Sequence, residues 1–81
     1  MTVRLLAFAG LRDVLGGPKR ELSVADGATL ADLWAELVRA RPQFGPLEGS
    51  TRFALNGRLV ARDATLAAGD EVALMPPFGG G

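Results

Sequence analysis

Residues 29–41 read TLADLWAELVRAR, and the reading of this stretch decides the fold. Leu30, Leu33, Trp34, Leu37 and Val38 recur at helical spacing and make one apolar face, so the stretch predicts an amphipathic helix. Thr29 is placed to cap it, and Asp32 sits where a carboxylate reaches back to the first free N–H groups. Arg39 and Arg41 fall in the last turn, where positive charge is favoured, and Pro42 prevents continuation. The flanking sequence is strand-like. Upstream, TVRLLAF (2–8) places Val3, Leu5 and Ala7 on one face and Arg4, Leu6 and Phe8 on the other. AGLRDVL allows a short helical turn, which Gly16, Gly17 and Pro18 break. RELSV (20–24) then returns as a hairpin partner across a loop longer than a two-residue turn. Downstream, PQFGPLEGS (42–50) reads as a loop and RFALN (52–56) as a strand. Asn56-Gly57 is a strong hairpin signal, and RLV (58–60) is the returning strand. DATLAAGD (63–70) reads as turn material before a last strand, EVALM (71–75). Two strands, one helix and three short strands form an α+β domain of two layers, because one helix covers only one face of a sheet. The order of strands within the sheet does not follow from local pattern. The expected division is a folded domain over 1–75 and a flexible tail over 76–81.

Composition narrows the function. At 81 residues the chain is one domain, and its 48% apolar content suits a folded core. Nine basic and nine acidic residues cancel with no basic block, which argues against nucleic acid and anionic membranes as partners. No apolar run approaches the roughly 20 residues that span a bilayer. MTVRLLAFAG at the start lacks the pattern of a signal peptide, so a cytoplasmic location is expected. Cysteine, histidine and tyrosine are all absent. The thiolate nucleophile, the sulfur ligand and the usual base near neutral pH are therefore missing. A self-sufficient enzyme would have to use carboxylates, Lys19 and hydroxyls. This points to a carrier or binding module.

Two further features point to a partner. If Val3, Leu5, Ala7, Val72 and Leu74 face the helix, then Leu6, Phe8, Ala73 and Met75 face outward, and they are apolar. Should the first and last strands be neighbours, they make an exposed apolar patch of the kind that marks interfaces. Alternatively, the strand parity is off by one residue, or the loop around Phe44 folds over the patch. The second feature is the ending, PPFGGG (76–81). Pro76 and Pro77 direct the chain stiffly away from the last strand, and Phe78 is a single aromatic anchor. Gly79, Gly80 and Gly81 lack a Cβ and can pass a channel too narrow for other residues. The Gly81 carboxylate, with a reference pKa of about 3.3–3.7, is ionised at neutral pH. Attack on the α-phosphate of ATP would make it an acyl-adenylate, from which a sulfur nucleophile can displace AMP. The alternative is a frayed terminus, since glycine-rich tails are common.

FAGLRDVLG, LNGRLV with the following Asp63, GDEVALMPP and the final Gly-Gly together resemble the MoaD family, the small sulfur-carrier subunits of molybdopterin synthase. The resemblance runs over essentially the whole chain. The ending is shared by ubiquitin-like sulfur carriers as a class, and the pattern from Phe8 to Asp13 points to the molybdopterin branch. The resemblance implies a ubiquitin-like β-grasp fold, a mixed sheet with one main helix on one face. It implies that an E1-like enzyme, using ATP and magnesium, adenylates Gly81, and that a cysteine desulfurase or rhodanese-like protein supplies the sulfur of a thiocarboxylate. The tail would then enter the large subunit of molybdopterin synthase and donate sulfur to cyclic pyranopterin monophosphate. That large subunit would supply the acid–base groups, with no cofactor bound by the chain itself. Residue by residue, Gly81 would carry the sulfur and Gly80 would give the slim approach. Phe8, Arg12, Leu59 and Met75 match partner-contacting positions, with Pro76, Pro77, Phe78 and Gly79 leading in. Met75 stands where an aromatic is frequent, and Gly79 where a side chain is common. Arg12 also admits a reading as a solvated charge or a local pair with Asp13. Related roles remain open: a sulfur carrier for thiamin or tRNA thiolation, a ubiquitin-like modifier joined to lysines, or a plain interaction domain.

Overall fold

The computed structural model describes residues 1–76. In chain order the elements are β1 (Thr2–Ala7), α1 (Leu11–Leu15), β2 (Lys19–Ser23), α2 (Leu30–Ala40), a 3-10 stretch (Pro42–Ser50), β3 (Arg52–Leu55), β4 (Arg58–Val60) and β5 (Glu71–Met75). The five strands form one sheet in the order β2-β1-β5-β3-β4. β1 and β5 run parallel at its centre, with Leu5 opposite Val72 and Leu6 opposite Ala73. The other pairings are antiparallel, so the sheet is mixed.

The helix forms where its caps dictate. Thr29 Oγ1 accepts from the Asp32 N–H at 3.3 Å, and Asp32 Oδ2 accepts from the Thr29 N–H at 2.9 Å. This reciprocal box satisfies two N–H groups that have no partner within the helix. The next two find acceptors in the segment after β4: Leu30 N–H donates to Ala64 O at 3.0 Å and Ala31 N–H to Arg62 O at 2.9 Å. Leu30, Leu33, Trp34 and Leu37 are buried, while Val38 stays partly exposed. Arg41 is already extended, at φ −140°, so the helix closes one residue earlier than the sequence suggests.

The core lies between α2 and the sheet. Val3, Leu5, Val72 and Leu74 of the two central strands are fully buried. The Trp34 ring meets Phe44 and Phe53 edge-on, with centroids 5.4 and 5.6 Å away. Two segments differ from the sequence expectation. Pro42–Ser50 winds as 3-10 turns rather than an open loop and buries Phe44 completely. Residues 63–70 are more than turn material: Leu66 is buried, Leu66 N–H donates to Ala28 O at 2.8 Å, and Thr65 bridges Thr29. Smaller shifts occur at strand ends, with β1 closing at Ala7 and β2 beginning at Lys19.

Turn geometry agrees with its residues. Asn56 and Gly57 have φ of 51° and 87°, both left-handed, as a tight hairpin turn requires. Asn56 also fastens this turn to β5: its Nδ2 donates to Asp70 Oδ1 and its Oδ1 accepts from Glu71 N–H, each at 3.0 Å. Gly16, at φ 89°, ends α1 in the left-handed region. A Cβ there would stand 3.3 Å from the Arg41 guanidinium, so both backbone and space favour glycine.

Candidate functional site: the outward sheet face and the root of the tail

Strand register assembles the site. Lys19 stands opposite Leu6, Leu6 opposite Ala73, Ala73 opposite Ala54, and Ala54 opposite Leu59. Side chains alternate along a strand, and the buried residues Val3, Leu5, Val72 and Leu74 face α2, so this row faces away from it. From β1 to β4 it crosses three inter-strand steps, roughly 14 Å at about 4.8 Å each. One step toward the C-terminal end of β5 lie Met75, opposite Arg52, and Phe8, whose N–H donates to Leu74 O at 3.1 Å. Among the described residues, Phe8 and Leu59 are the large apolar side chains that remain well exposed, at 48% and 58%. Leu6, Ala73 and Met75 are half-buried. Ala54 is buried yet stands apart from the core cluster, as an outward residue hemmed in by its neighbours does.

The parity expected for Leu6, Phe8, Ala73 and Met75 therefore holds, and the Phe44 segment does not cover them, because Phe44 packs on Trp34. The remaining row of this face is polar. Arg4 stands opposite Glu21 on one side and Glu71 on the other, and its guanidinium lies 3.6 Å from the Glu71 carboxylate. The apolar surface is thus concentrated at the end where β5 leads into the tail.

Of the partner-contact residues expected from sequence, Phe8, Leu59 and Met75 come together on this face. Arg12 lies on α1 rather than on a strand of the sheet. It is exposed on α1 and lines a separate cleft with Ala9, Asp13, Gly16, Gly17 and Pro18. Among the described residues it forms no ion pair with Asp13. Between Phe8 and α1, Ala9 takes φ 53°, a left-handed backbone that costs an alanine roughly 1–2 kcal/mol. Pro76 is exposed and borders a shallow groove with Leu11, Val14 and Leu47, beside the strand end that carries Met75. Pro77, Phe78, Gly79, Gly80 and Gly81 lie outside the described residues. Ala54 and Lys19 complete the row, and the sequence reading placed neither on this face. Their signal was strand parity, which becomes useful only once the strand order is known.

A β-grasp sheet with an apolar face, open among the described residues, beside the exit of its last strand defines a ubiquitin-like protein. Residues 5–81 match the ThiS family, and the chain belongs to that family. It is 36% identical over 83 residues to the molybdopterin synthase sulfur carrier subunit of Chlamydomonas reinhardtii, with 100% of each chain covered. It is 31% identical to the crystal structure of small archaeal modifier protein 1 from Haloferax volcanii, with a TM-score of 0.85 and all of both chains covered. The fold also recurs, at 23% identity, a TM-score of 0.71 and complete coverage of both chains, in the protein–protein complex of subunits 1 and 2 of the molybdopterin-converting factor of Helicobacter pylori. None of the helices over the described residues is long and apolar enough to cross a membrane.

Proposed function

We propose that this chain is a sulfur carrier that acts as the small subunit of molybdopterin synthase. The observation that carries the reading is the continuity of the outward apolar face with the root of the tail: Phe8, Met75 and Pro76 adjoin at one end of the sheet. A partner that seats on this face receives the chain leaving Pro76 in a defined place.

The chemistry belongs to the Gly81 carboxylate. An E1-like enzyme brings ATP and magnesium, and the carboxylate oxygen attacks the α-phosphate, forming an acyl-adenylate and releasing pyrophosphate. The terminal sulfur of a persulfide on a cysteine desulfurase or rhodanese-like donor then attacks the acyl carbon, and AMP leaves with the C–O bond. A thiol of the donor or activating enzyme cleaves the resulting acyl disulfide, so that the S–S bond is reduced, a disulfide forms on the enzyme side, and a thiocarboxylate remains. In the large synthase subunit, sulfur passes to cyclic pyranopterin monophosphate, two sulfurs in succession making the dithiolene. Hydrolysis returns the carboxylate. The chain supplies the slim glycine approach, and the large subunit supplies the acid–base groups that a sequence without histidine or cysteine lacks. The extent of the Chlamydomonas likeness supports this reading.

Intact mass after incubation with an E1-like enzyme, ATP and a sulfur donor tests it. The expected result is a gain equal to replacing one oxygen by sulfur, lost when Gly81 is deleted. No gain with a demonstrably active enzyme overturns the reading. The likeness to the Haloferax modifier favours a second role from the same activated terminus, an amide bond to a lysine of another protein. Recovery of Gly81-to-lysine linkages from cells establishes that role. A deletion strain that loses thiamin synthesis or tRNA thiolation while keeping molybdoenzyme activity would move the carrier to another pathway.

A further inference from the structure

We propose that the docking face extends past the apolar patch onto β2, where Lys19 and the neighbouring Leu6 receive a partner segment carrying a carboxylate beside an apolar side chain. This rests on the reading that the outward face docks a partner. Next to the patch is a depression of about 320 Å3, lined by Arg4, Leu6, Lys19, Arg20, Glu21 and Glu71 among others. Leu6 belongs both to this depression and to the row that runs on to Leu59, so the two surfaces are continuous.

The charges inside the depression are unevenly satisfied. Arg4 lies between Glu21 and Glu71 and is 3.6 Å from the latter. Arg20 Nη1 donates to Leu15 O at 3.2 Å. Both carboxylates therefore stand beside Arg4, and one guanidinium is tied back to α1. Lys19 is the only lysine in the sequence, and among the described residues its ammonium forms no hydrogen bond or ion pair. In the two rows nearest the tail the charged side chains are Lys19 and Arg52, both cationic, although the whole chain is neutral. A surface that is apolar in the middle and cationic at the rim complements a partner that is apolar in the middle and anionic at the rim. The lining sets the half-buried Leu6 beside charged groups, so the fit is to a protein segment with an apolar side chain next to its carboxylate and not to a free phosphate.

The test is the affinity of the full chain for the large synthase subunit of the same organism, measured by calorimetry at low and high salt. The variants are Lys19→Glu, Lys19→Arg and, as a reference within the patch, Phe8→Ser. Rim charges act mainly through association rate and salt dependence, so Lys19→Glu is expected to weaken binding about tenfold at low salt, with the difference shrinking toward 1 M salt. Lys19→Arg keeps the charge and should restore binding to within about twofold of the original. An unchanged melting temperature for Lys19→Glu, expected at this exposed position, assigns the loss to the interface. If Phe8→Ser weakens binding but Lys19→Glu does not, the extension onto β2 is wrong and the docking face stands. An equal loss in Lys19→Arg and Lys19→Glu also overturns the extension, because charge is then not what the partner reads. Absence of any complex with the unmodified chain overturns the functional reading, and the extension with it.

Discussion

The two faces of one sheet use the same residue types for opposite ends. On the helix side, Val3, Leu5, Val72 and Leu74 are fully buried and the aromatic cluster of Trp34, Phe44 and Phe53 fills the space above them. On the other side, one residue along each strand, Leu6, Phe8, Ala73, Met75 and Leu59 lie on a face that none of the described residues packs over. An antiparallel sheet with one wet face normally alternates apolar and polar. Here the alternation lapses at one end and is kept at the other, where Arg4, Glu21 and Glu71 lie. Apolar side chains on the first face hold the fold together, and those on the second remain available. The polar row shows that the lapse is local and sits against the exit of the last strand.

The comparison can be tested with three variants. Trp34→Ala has the largest expected effect. Removing a buried ring that contacts two others should cost about 3–5 kcal/mol by urea unfolding. A cost below about 1 kcal/mol would mean that the helix side is not where stability resides. Phe8→Ser with Met75→Ser comes next and should act in the opposite sense. Stability should fall by less than about 1 kcal/mol, because both side chains already meet water. Affinity for the large subunit should fall at least about tenfold, about 1.4 kcal/mol, as expected for anchors near the centre of an interface. Large loss of stability with intact binding would assign both residues to the core. Thr29→Ala, the smallest change, sharpens the picture. Loss of the cap should cost about 1 kcal/mol of stability and leave binding unchanged, since the cap supports only the buried side.

What could be read from sequence was local. The Thr29–Asp32 box, the face of α2, the stop at Pro42 and the turn at Asn56-Gly57 are each specified by residues a few positions apart, and all appear in the structure. Strand parity was legible for the same reason, and with it Leu6, Phe8, Ala73 and Met75. Strand order was not, because the β1–β5 pairing joins Arg4 to Glu71 across nearly the whole chain and no short pattern records it. Phe44 was hidden by the prolines and glycines around it, whose composition resembles a loop. Leu66, a lone leucine among alanines, carries no periodicity. Among the site residues, Leu59 and Arg12 came from family resemblance rather than pattern; Leu59 lies on the outward face and Arg12 on α1. Lys19 and Ala54 become meaningful only once five strands stand side by side.

The parallel pairing of β1 with β5 has a consequence for the order of events in the cell. β1 waits for β5, which is made well after it, before the middle of the sheet can close, and contacts this distant along a chain form late. Until they form, Phe8 and Met75 are far apart and Pro76 has no fixed point of departure. The apolar face and the root of the tail at Pro76 therefore come together only in molecules that have finished folding. On the function proposed above, a partner that reads both selects completed molecules.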